Sequence, residues 1–109
     1  MDHISVLYNS KRVLIPVNEI IRVEASNNYS KIYCSVGRPL VVAKVLQWFE
    51  LNLPEDAFYR IHQTHIINRF FVKEVQCKNR LQLTNGEYVQ ASRRKQTVFK
   101  MMLQKIAAE

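Results

Sequence analysis

The sequence predicts a single domain, over residues 1–109, that is mainly β and contains two short helices. A chain of 109 residues, 48% of them hydrophobic, is long and apolar enough for one globular domain with a modest core. Its apolar residues fall in short runs between polar turns, a pattern typical of about eight or nine short strands. Strands do not alternate with long helices along the chain, so a doubly wound α/β fold is disfavoured.

The first half of the chain predicts short strands joined by polar turns. They span residues 4–8, 12–17, 20–25, 29–36 and 40–42. In the fourth strand, Ile32, Cys34 and Val36 alternate with polar residues, which indicates one buried face. Pro16 lacks a backbone N–H, so we expect the second strand to lie at a sheet edge or to end early.

The first predicted helix covers residues 44–53. Its spacing directs Val45, Trp48, Phe49 and Leu53 to the core, with Leu46 flanking them. Pro54 ends the helix, because the residue before a proline is driven out of the helical region.

The second predicted helix covers residues 93–107, with Ser92 as its N-cap. Its core-facing stripe consists of Phe99, Met102, Leu103 and Ile106. The pair Met101-Met102 is interpreted as core filling rather than as a cofactor site.

The second half of the chain predicts a strand–loop–strand over residues 58–69, a strand over 70–77 and a hairpin around Asn85-Gly86. Two hairpin registers are open. A three-residue loop with Gly86 left-handed puts the apolar side chains on one face, namely Leu81, Leu83, Val89 and Ala91, whereas a two-residue turn pairs Leu83 with Tyr88. The first register is favoured because it segregates the apolar residues.

The net charge of +7 lies entirely in the second half of the chain. Residues 1–58 hold six basic and six acidic residues, whereas residues 59–109 hold ten basic and three acidic ones. Such an excess attracts polyanions and suits contact with phosphate, although a mildly basic soluble surface would look the same.

The composition also predicts the compartment. No apolar run is long enough to span a membrane, and the first residues do not resemble a signal peptide, so we expect a cytoplasmic protein. Cys34 and Cys77 are far apart, and we interpret them as buried free thiols.

Enzymatic and metal sites are disfavoured. The two glycines, Gly37 and Gly86, stand at turns and cannot form a nucleophile elbow or a phosphate loop. His62 and His65 have no third ligand at zinc-motif spacing. We therefore predict no catalytic residue, no cofactor and no metal.

Three polar segments are candidates for nucleic-acid contact. The loop before Ile32 offers Asn28, which can read adenine, and Lys31, which can contact phosphate. The middle of the 58–69 stretch exposes Gln63 and Thr64 at a turn. Cations at the start of the last helix oppose the helix dipole, which suggests a role outside folding; they are Arg93, Arg94 and Lys95. An ordinary polar turn and a solvated basic face remain the alternatives for the first and third segments.

These segments together resemble the LytTR family of DNA-binding domains. The resemblance runs through Glu24-Ala25 and Asn28-Tyr29, and through Leu53-Pro54 to the Arg60–Asn68 run. It continues through Leu81-x-Leu83-x-x-Gly86 and Ala91-Ser92-Arg93-Arg94 and covers nearly the whole chain. The Arg60–Asn68 run, in register with the other segments, is its most specific part.

The resemblance implies an elongated β fold whose loops enter successive major grooves of double-stranded DNA. It also implies a transcriptional regulator, commonly the output domain of a two-component response regulator. The positions that it assigns to DNA contact are Ser30, Gln63 and Arg94. The chemistry of the side chains adds Asn28, Lys31, His62, Thr64, Arg93 and Lys95. Arg60, Asn68 and Ser92 are expected to support these loops. Possible partners are a receiver domain in a longer chain and a second copy on an adjacent half-site.

Two other functions remain open at the level of sequence. The segment Arg69-Phe70-Phe71-Val72 resembles a strand on which single-stranded RNA stacks, although the glycine-containing motif is missing. Alternatively, a β edge such as the strand with Pro16 could bind another protein.

Overall fold

A five-stranded antiparallel sheet lies at the centre of the molecule, in a computed structural model that describes residues 3–109. Its strand order is β5-β4-β3-β7-β6. The strands of this sheet are β3 (Ile20–Ser26), β4 (Tyr29–Cys34), β5 (Leu40–Val42), β6 (Phe58–His62) and β7 (His65–Asn68). Both faces of the sheet are covered, because side chains of one strand enter two cores: Ile20 and Val23 enter the first, and Ile21 enters the second.

The first core lies under a two-stranded sheet and a short helix. The sheet pairs β1 (His3–Tyr8) with β2 (Lys11–Pro16), and the helix is α1 (Leu46–Asn52). Ile4, Val6 and Ile15 pack from the hairpin, and Phe49 packs from the helix. The hairpin has Pro16 at the end of its register, opposite His3, as the missing N–H requires.

The second core lies under a three-stranded sheet and the C-terminal helix. The sheet has the order β10-β9-β8, with β8 (Val72–Gln76), β9 (Arg80–Leu83) and β10 (Tyr88–Gln90), and the helix is α2 (Gln96–Ala108). Leu81 and Leu83 are completely buried there, beside Phe99 and Met102 of the helix. The protein is thus a layered, mainly β structure, and its dimensions of 42 × 27 × 24 Å confirm the predicted elongation.

The hairpin between β9 and β10 has the favoured register. Leu83 donates its N–H to the Glu87 carbonyl at 2.8 Å, which leaves Thr84, Asn85 and Gly86 as the three-residue loop. Gly86 has φ +90°, and the apolar side chains of both strands share the second core. A residue with a Cβ rarely adopts this conformation, so glycine is required at this turn.

The helices differ from the prediction at their starts. In α1, Leu46 is buried and Val45 is half exposed, because Val45 is the extended residue that precedes the helix. The last helix begins at Gln96 rather than at residue 93, since Arg93–Lys95 form a separate 3-10 turn. Of the predicted methionine pair, Met102 fills the core but Met101 is exposed.

Several other expectations require correction. Phe70 and Phe71 belong to a 3-10 turn (Arg69–Phe71) and not to a strand, because the chain passes here from β7 of the central sheet to β8 of the three-stranded sheet. Val36 lies beyond the end of β4 and is 73% exposed. Cys34 and Cys77 are free thiols as predicted, but Cys34 is only partly buried and Cys77 lies in an exposed turn. Residues 3–109 contain ten strands instead of eight or nine.

Candidate nucleic-acid interface

One end of the central sheet carries three loops, which we call tips 1, 2 and 3. Tip 1 is the β3–β4 turn (residues 26–29), tip 2 the β6–β7 turn (residues 62–65) and tip 3 the segment 92–95. Tips 1 and 2 share this end because β3 and β7 are adjacent antiparallel strands, one ending and the other starting there. The N–H of Ala25 donates to the Thr64 carbonyl at 2.9 Å and joins the two tips through the backbone.

Tip 1 exposes Asn28 and Tyr29 but not Ser30. Ser26 pairs with Tyr29, and Asn27 has φ +56°, a left-handed conformation that asparagine tolerates. The Ser30 side chain is completely buried and donates its hydroxyl hydrogen to the Lys44 carbonyl at 2.5 Å. The expectation that Ser30 contacts DNA is therefore corrected for this structure: Ser30 lies on the same side of β4 as the buried Ile32.

Tip 2 is held by a β-bulge and by side-chain hydrogen bonds. Tyr59 pairs with Ile67 but His62 pairs with His65, so β6 has one extra residue over this interval. Arg60 donates from Nε and Nη2 to the Gln63 carbonyl, at 3.2 and 2.7 Å. The side chains of Gln63 and Thr64 are exposed at the turn.

His62 closes the same turn from inside. Its Nδ1 accepts the N–H of Thr64 at 3.1 Å and lies 2.9 Å from the Thr64 hydroxyl. The ring is partly exposed, so it shapes the turn and also borders its surface. The Gln63 side chain, by contrast, is exposed at the turn.

Tip 3 is attached to the bulge of β6. The N–H of Ser92 donates to the Ile61 carbonyl at 2.8 Å. A hollow of about 370 Å³ lies between tips 2 and 3 and is lined by His62, Gln63, Ser92, Arg94 and Lys95. Ser92 precedes the 3-10 turn, but its hydroxyl makes no capping hydrogen bond and is buried without a partner. Its support for tip 3 thus comes from the backbone, which corrects the predicted side-chain cap.

Asn68 holds the opposite end of β7. Its side-chain NH₂ donates to the Ile20 carbonyl at 2.8 Å, and its side-chain oxygen accepts the N–H of Phe70 at 3.0 Å. The residue is buried, so it contacts the β3 backbone and not the tip surface.

The arginines fall into two groups, those in ion pairs with carboxylates and those outside the observed ion pairs. Four ion pairs occur among residues 3–109, and they hold Arg22 to Glu24 and Glu87, Arg60 to Glu50, and Arg69 to Glu109, at 2.6–3.0 Å. None of these pairs includes Lys31, which follows tip 1, or a cation of tip 3. We call that second group the tip cations: Lys31, Arg93, Arg94 and Lys95. Their charge is therefore available to a ligand.

Arg22 anchors a buried charge network that sequence reasoning missed. Its guanidinium lies 3.7 Å from the ring centre of Tyr33 and donates twice to the Glu87 carboxylate, at 3.1 and 3.0 Å. Burial alone would lower the pKa of Arg22, but the hydrogen bonds and charges of Glu87 and Glu24 outweigh it and raise that pKa. The hydrogen bonds from Arg22 lower the pKa of Glu87. A charged residue inside the apolar Ile20–Ala25 run was the available signal.

A row of polar side chains crosses the sheet just behind the tips. Backbone pairing places Lys31 beside Glu24, Glu24 beside His65, and His65 beside His62. Burial lowers the pKa of His65, and the charges of Arg22 and His62 lower it further against the opposing effect of Glu24. His65 is therefore biased towards the neutral form, and this row is a support layer beneath the tips.

Residues 3–109 show neither a membrane-spanning helix nor a cluster of metal ligands. Neither helix in residues 3–109 combines the length and apolarity needed to cross a membrane. Over the same residues, no three His, Cys, Asp or Glu side chains gather in a way that could hold a metal ion.

The fold and its cationic tips together define a class of protein: a layered β domain that presents loops to a polyanion. A family model for the LytTr DNA-binding domain matches residues 10–104. The chain therefore belongs to the LytTr DNA-binding domain family, whose function is DNA binding in transcription regulation.

The structure is also similar to a solved one from Bacillus cereus, described as the LytTr DNA-binding domain of a methyl-accepting/DNA response regulator. The two share 22% sequence identity with a TM-score of 0.81, and the match covers 94% of this chain and 97% of that one. The likeness confirms the predicted fold class. No curated protein sequence matches the chain.

Proposed function

We propose that this domain binds double-stranded DNA sequence-specifically, with its three tips directed into major grooves on one side of the duplex. The observation that supports the proposal is the junction of the tips through their flanking residues. Ala25, just before tip 1, donates to Thr64 of tip 2 at 2.9 Å, and Ser92 of tip 3 donates to Ile61, just before tip 2, at 2.8 Å. Side chains on a framework fixed in this way meet DNA with a defined spacing, as base recognition requires.

The proposed roles divide between anchoring and reading. Lys31, Arg93 and Lys95 contact phosphates, which fixes the domain on the duplex but carries no sequence information. Asn28, Gln63 and Arg94 read base edges, with the amides suited to adenine and the arginine to guanine. In this scheme His62 and Thr64 hold and border the turn of tip 2. Arg60 positions the turn without touching DNA.

The regulatory setting is part of the same proposal. The Bacillus cereus domain belongs to a response regulator by its description, which favours the output domain of a two-component regulator or a free-standing relative. Its partners would be a receiver domain in a longer chain and a second copy on an adjacent half-site. Such a regulator acts on DNA without catalysing a reaction, and we place it in the cytoplasm.

Selection of bound duplexes from a randomised library tests this function. We expect one enriched motif, and two similar half-sites if two copies bind together. Binding to the enriched duplex should weaken steeply with salt, because each neutralised phosphate releases counterions and adds about −0.9 to the slope of log K against log salt. Enrichment of no motif, together with a flat slope, would refute the proposal.

The two alternatives are not favoured. The ring of Phe70 is 61% exposed, but it lies in a 3-10 turn rather than on a strand, and the Arg69 guanidinium covers it at 4.1 Å. A stacking surface for single-stranded RNA needs aromatic rings side by side on a sheet, which this turn does not provide. The strand β2 pairs only with β1, but the family match favours DNA binding over a protein-interaction module.

A further inference from the structure

Lys44 lies beside tip 1, outside the three polar segments that the sequence marks for DNA contact. Val42, the last residue of β5, pairs with Ser30 of β4. Because the two strands are antiparallel, the chain after Val42 continues past Tyr29 towards the tip end of the sheet. The strand order β5-β4-β3-β7-β6 then places Lys44 at the outer flank of the tips, next to tip 1 and farthest from tip 3.

The backbone of Lys44 is fixed by the buried Ser30. The Ser30 hydroxyl donates to the Lys44 carbonyl at 2.5 Å, and its side chain is completely buried. A buried hydroxyl without a partner is unfavourable, so this hydrogen bond restricts where the Lys44 backbone can lie.

The side chain of Lys44 is exposed, and its charge is unopposed. Its Nζ lies 5.2 Å from the ring centre of Trp48, and the Trp48 ring packs edge-on against Phe49 at 5.0 Å. This aromatic contact holds the ammonium group in place without neutralising it. None of the four ion pairs within residues 3–109 includes Lys44. The residue lies just before the extended Val45 that begins α1, a position where a cation gains nothing from the helix dipole.

We propose that Lys44 is a DNA-phosphate contact that extends the interface beyond tip 1, and that the buried Ser30 is its positioning residue. The inference rests on the proposed function, because it assumes that the tip end of the sheet faces a duplex. It also gives position 30 a new role: Ser30 acts on DNA binding through Lys44 and not by touching DNA.

The first experiment compares Lys44→Ala with Lys105→Ala on the duplex that the wild-type protein enriches from a randomised library. Lys105 is an exposed lysine in the last turn of α2, ten residues or roughly 15 Å along the chain from Lys95. We expect Lys44→Ala to lower the salt slope by about 0.9 and to leave the preferred motif unchanged. The ratio of wild-type affinity to Lys44→Ala affinity should then shrink about three- to fourfold between roughly 50 and 200 mM salt.

Lys105→Ala should keep the wild-type slope. An unchanged slope for Lys44→Ala, with steep salt dependence in the wild-type protein, overturns the assignment of Lys44 while the proposed function stands. Absence of binding by the wild-type protein would instead refute the proposed function itself. The two failures are therefore distinguishable.

The second experiment tests Ser30 by a double-mutant cycle. We expect Ser30→Ala to weaken binding by no more than Lys44→Ala does, and the double variant to bind as weakly as Lys44→Ala alone, because both changes remove the same contact. Additive losses would overturn the positioning role of Ser30. Should Ser30→Ala fail to fold, Ser30→Thr keeps the hydroxyl and tests the same link: it should retain the wild-type salt slope, and a lowered slope with a folded protein would count against the link.

Discussion

The ion-paired arginines and the tip cations carry the same charge but differ in everything around it. Arg22, Arg60 and Arg69 lie against carboxylates, and the first and last of them are buried. The tip cations lie at one end of the central sheet and take part in none of the ion pairs in residues 3–109. The net charge of +7 therefore does not locate a binding surface until the partner of each cation is known. The first group stabilises the fold, whereas the second is free to bind a ligand.

Arg22→Leu should give the largest effect and should act on stability alone. The buried charge network would lose its cation, and we expect the free energy of unfolding to fall by about 2–3 kcal/mol. The value lies below that of a fully buried pair because the side chains of Glu24 and Glu87 are 36% and 38% exposed. Urea unfolding measures it, with Arg12→Ala as the control, since Arg12 is exposed. Equal losses of unfolding free energy for the two variants would contradict the stabilising role of the ion-paired arginines.

Arg94→Ala should show the opposite behaviour. Stability should change by less than about 0.5 kcal/mol, because the side chain is exposed and has no ion pair. Binding to the enriched duplex should weaken by about 1–3 kcal/mol, with relaxed preference at one base position. Arg93→Ala is the matched control and should weaken all duplexes alike. Fluorescence anisotropy with single-base variants of the duplex separates the two, and uniform weakening by Arg94→Ala would reassign it to phosphate.

Lys78→Gly should stabilise the protein at a turn close to tip 3. Lys78 has φ +61°, and the next residue, Asn79, accepts the N–H of Ala91 at 2.8 Å. Glycine adopts this conformation without the Cβ clash, so we expect a gain of about 0.5–1 kcal/mol in unfolding free energy. Lys73→Gly, in the extended strand β8, should lose about the same amount. A loss at both positions would show that the turn does not hold Lys78 in the left-handed region.

The smallest effect concerns pH and belongs to the row behind the tips. The folded-state pKa of His65 lies below its ordinary value of 6.5, mainly through burial, so the unfolded chain binds a proton more readily. Stability is therefore fully present above 6.5 and falls as the pH drops through the folded-state pKa. The lowered pKa of Glu87 adds a second loss at more acidic pH, below its ordinary value of 4.5. Urea midpoints measured below pH 6.5 and again below pH 4.5 test whether the two losses of stability occur in this order. His65→Gln should abolish only the loss that begins below pH 6.5.

Much of the fold was readable in the sequence, because alternation and turn residues are local signals. The hairpin around Gly86 is an example: segregation of Leu81, Leu83 and Val89 selected its register correctly. The predicted start of α1 at residue 44 is two residues too early, since helical spacing alone does not separate the last extended residues from the first helical one. The sequence predicts a strand at Phe70, where the structure has a 3-10 turn, because the apolar residues of this turn are also β-prone.

The candidate site could be predicted less completely from the sequence than the fold, for two physical reasons. Ser30 lies on the same face of β4 as Ile32, so the alternation predicts its burial, whereas the family resemblance assigns it to DNA contact. The joints between the tips, by contrast, are backbone hydrogen bonds such as the one from Ser92 to Ile61, and these leave no trace in residue type. The likeness to a known family placed Gln63 and Arg94 in the same surface, which spacing alone could not do.

The bulge in β6 has a consequence for how such domains diverge. It presents the Ile61 carbonyl to Ser92, while Thr64 offers its own carbonyl to Ala25. Every residue type supplies these carbonyls, and every type except proline supplies the N–H. Side chains at Asn28, Gln63 and Arg94 can therefore be exchanged while the distance between them stays constant. In the proposed binding mode, such exchanges would change the recognised DNA sequence without moving the tips, and a proline at Ser92 would remove the N–H that joins tip 3 to β6.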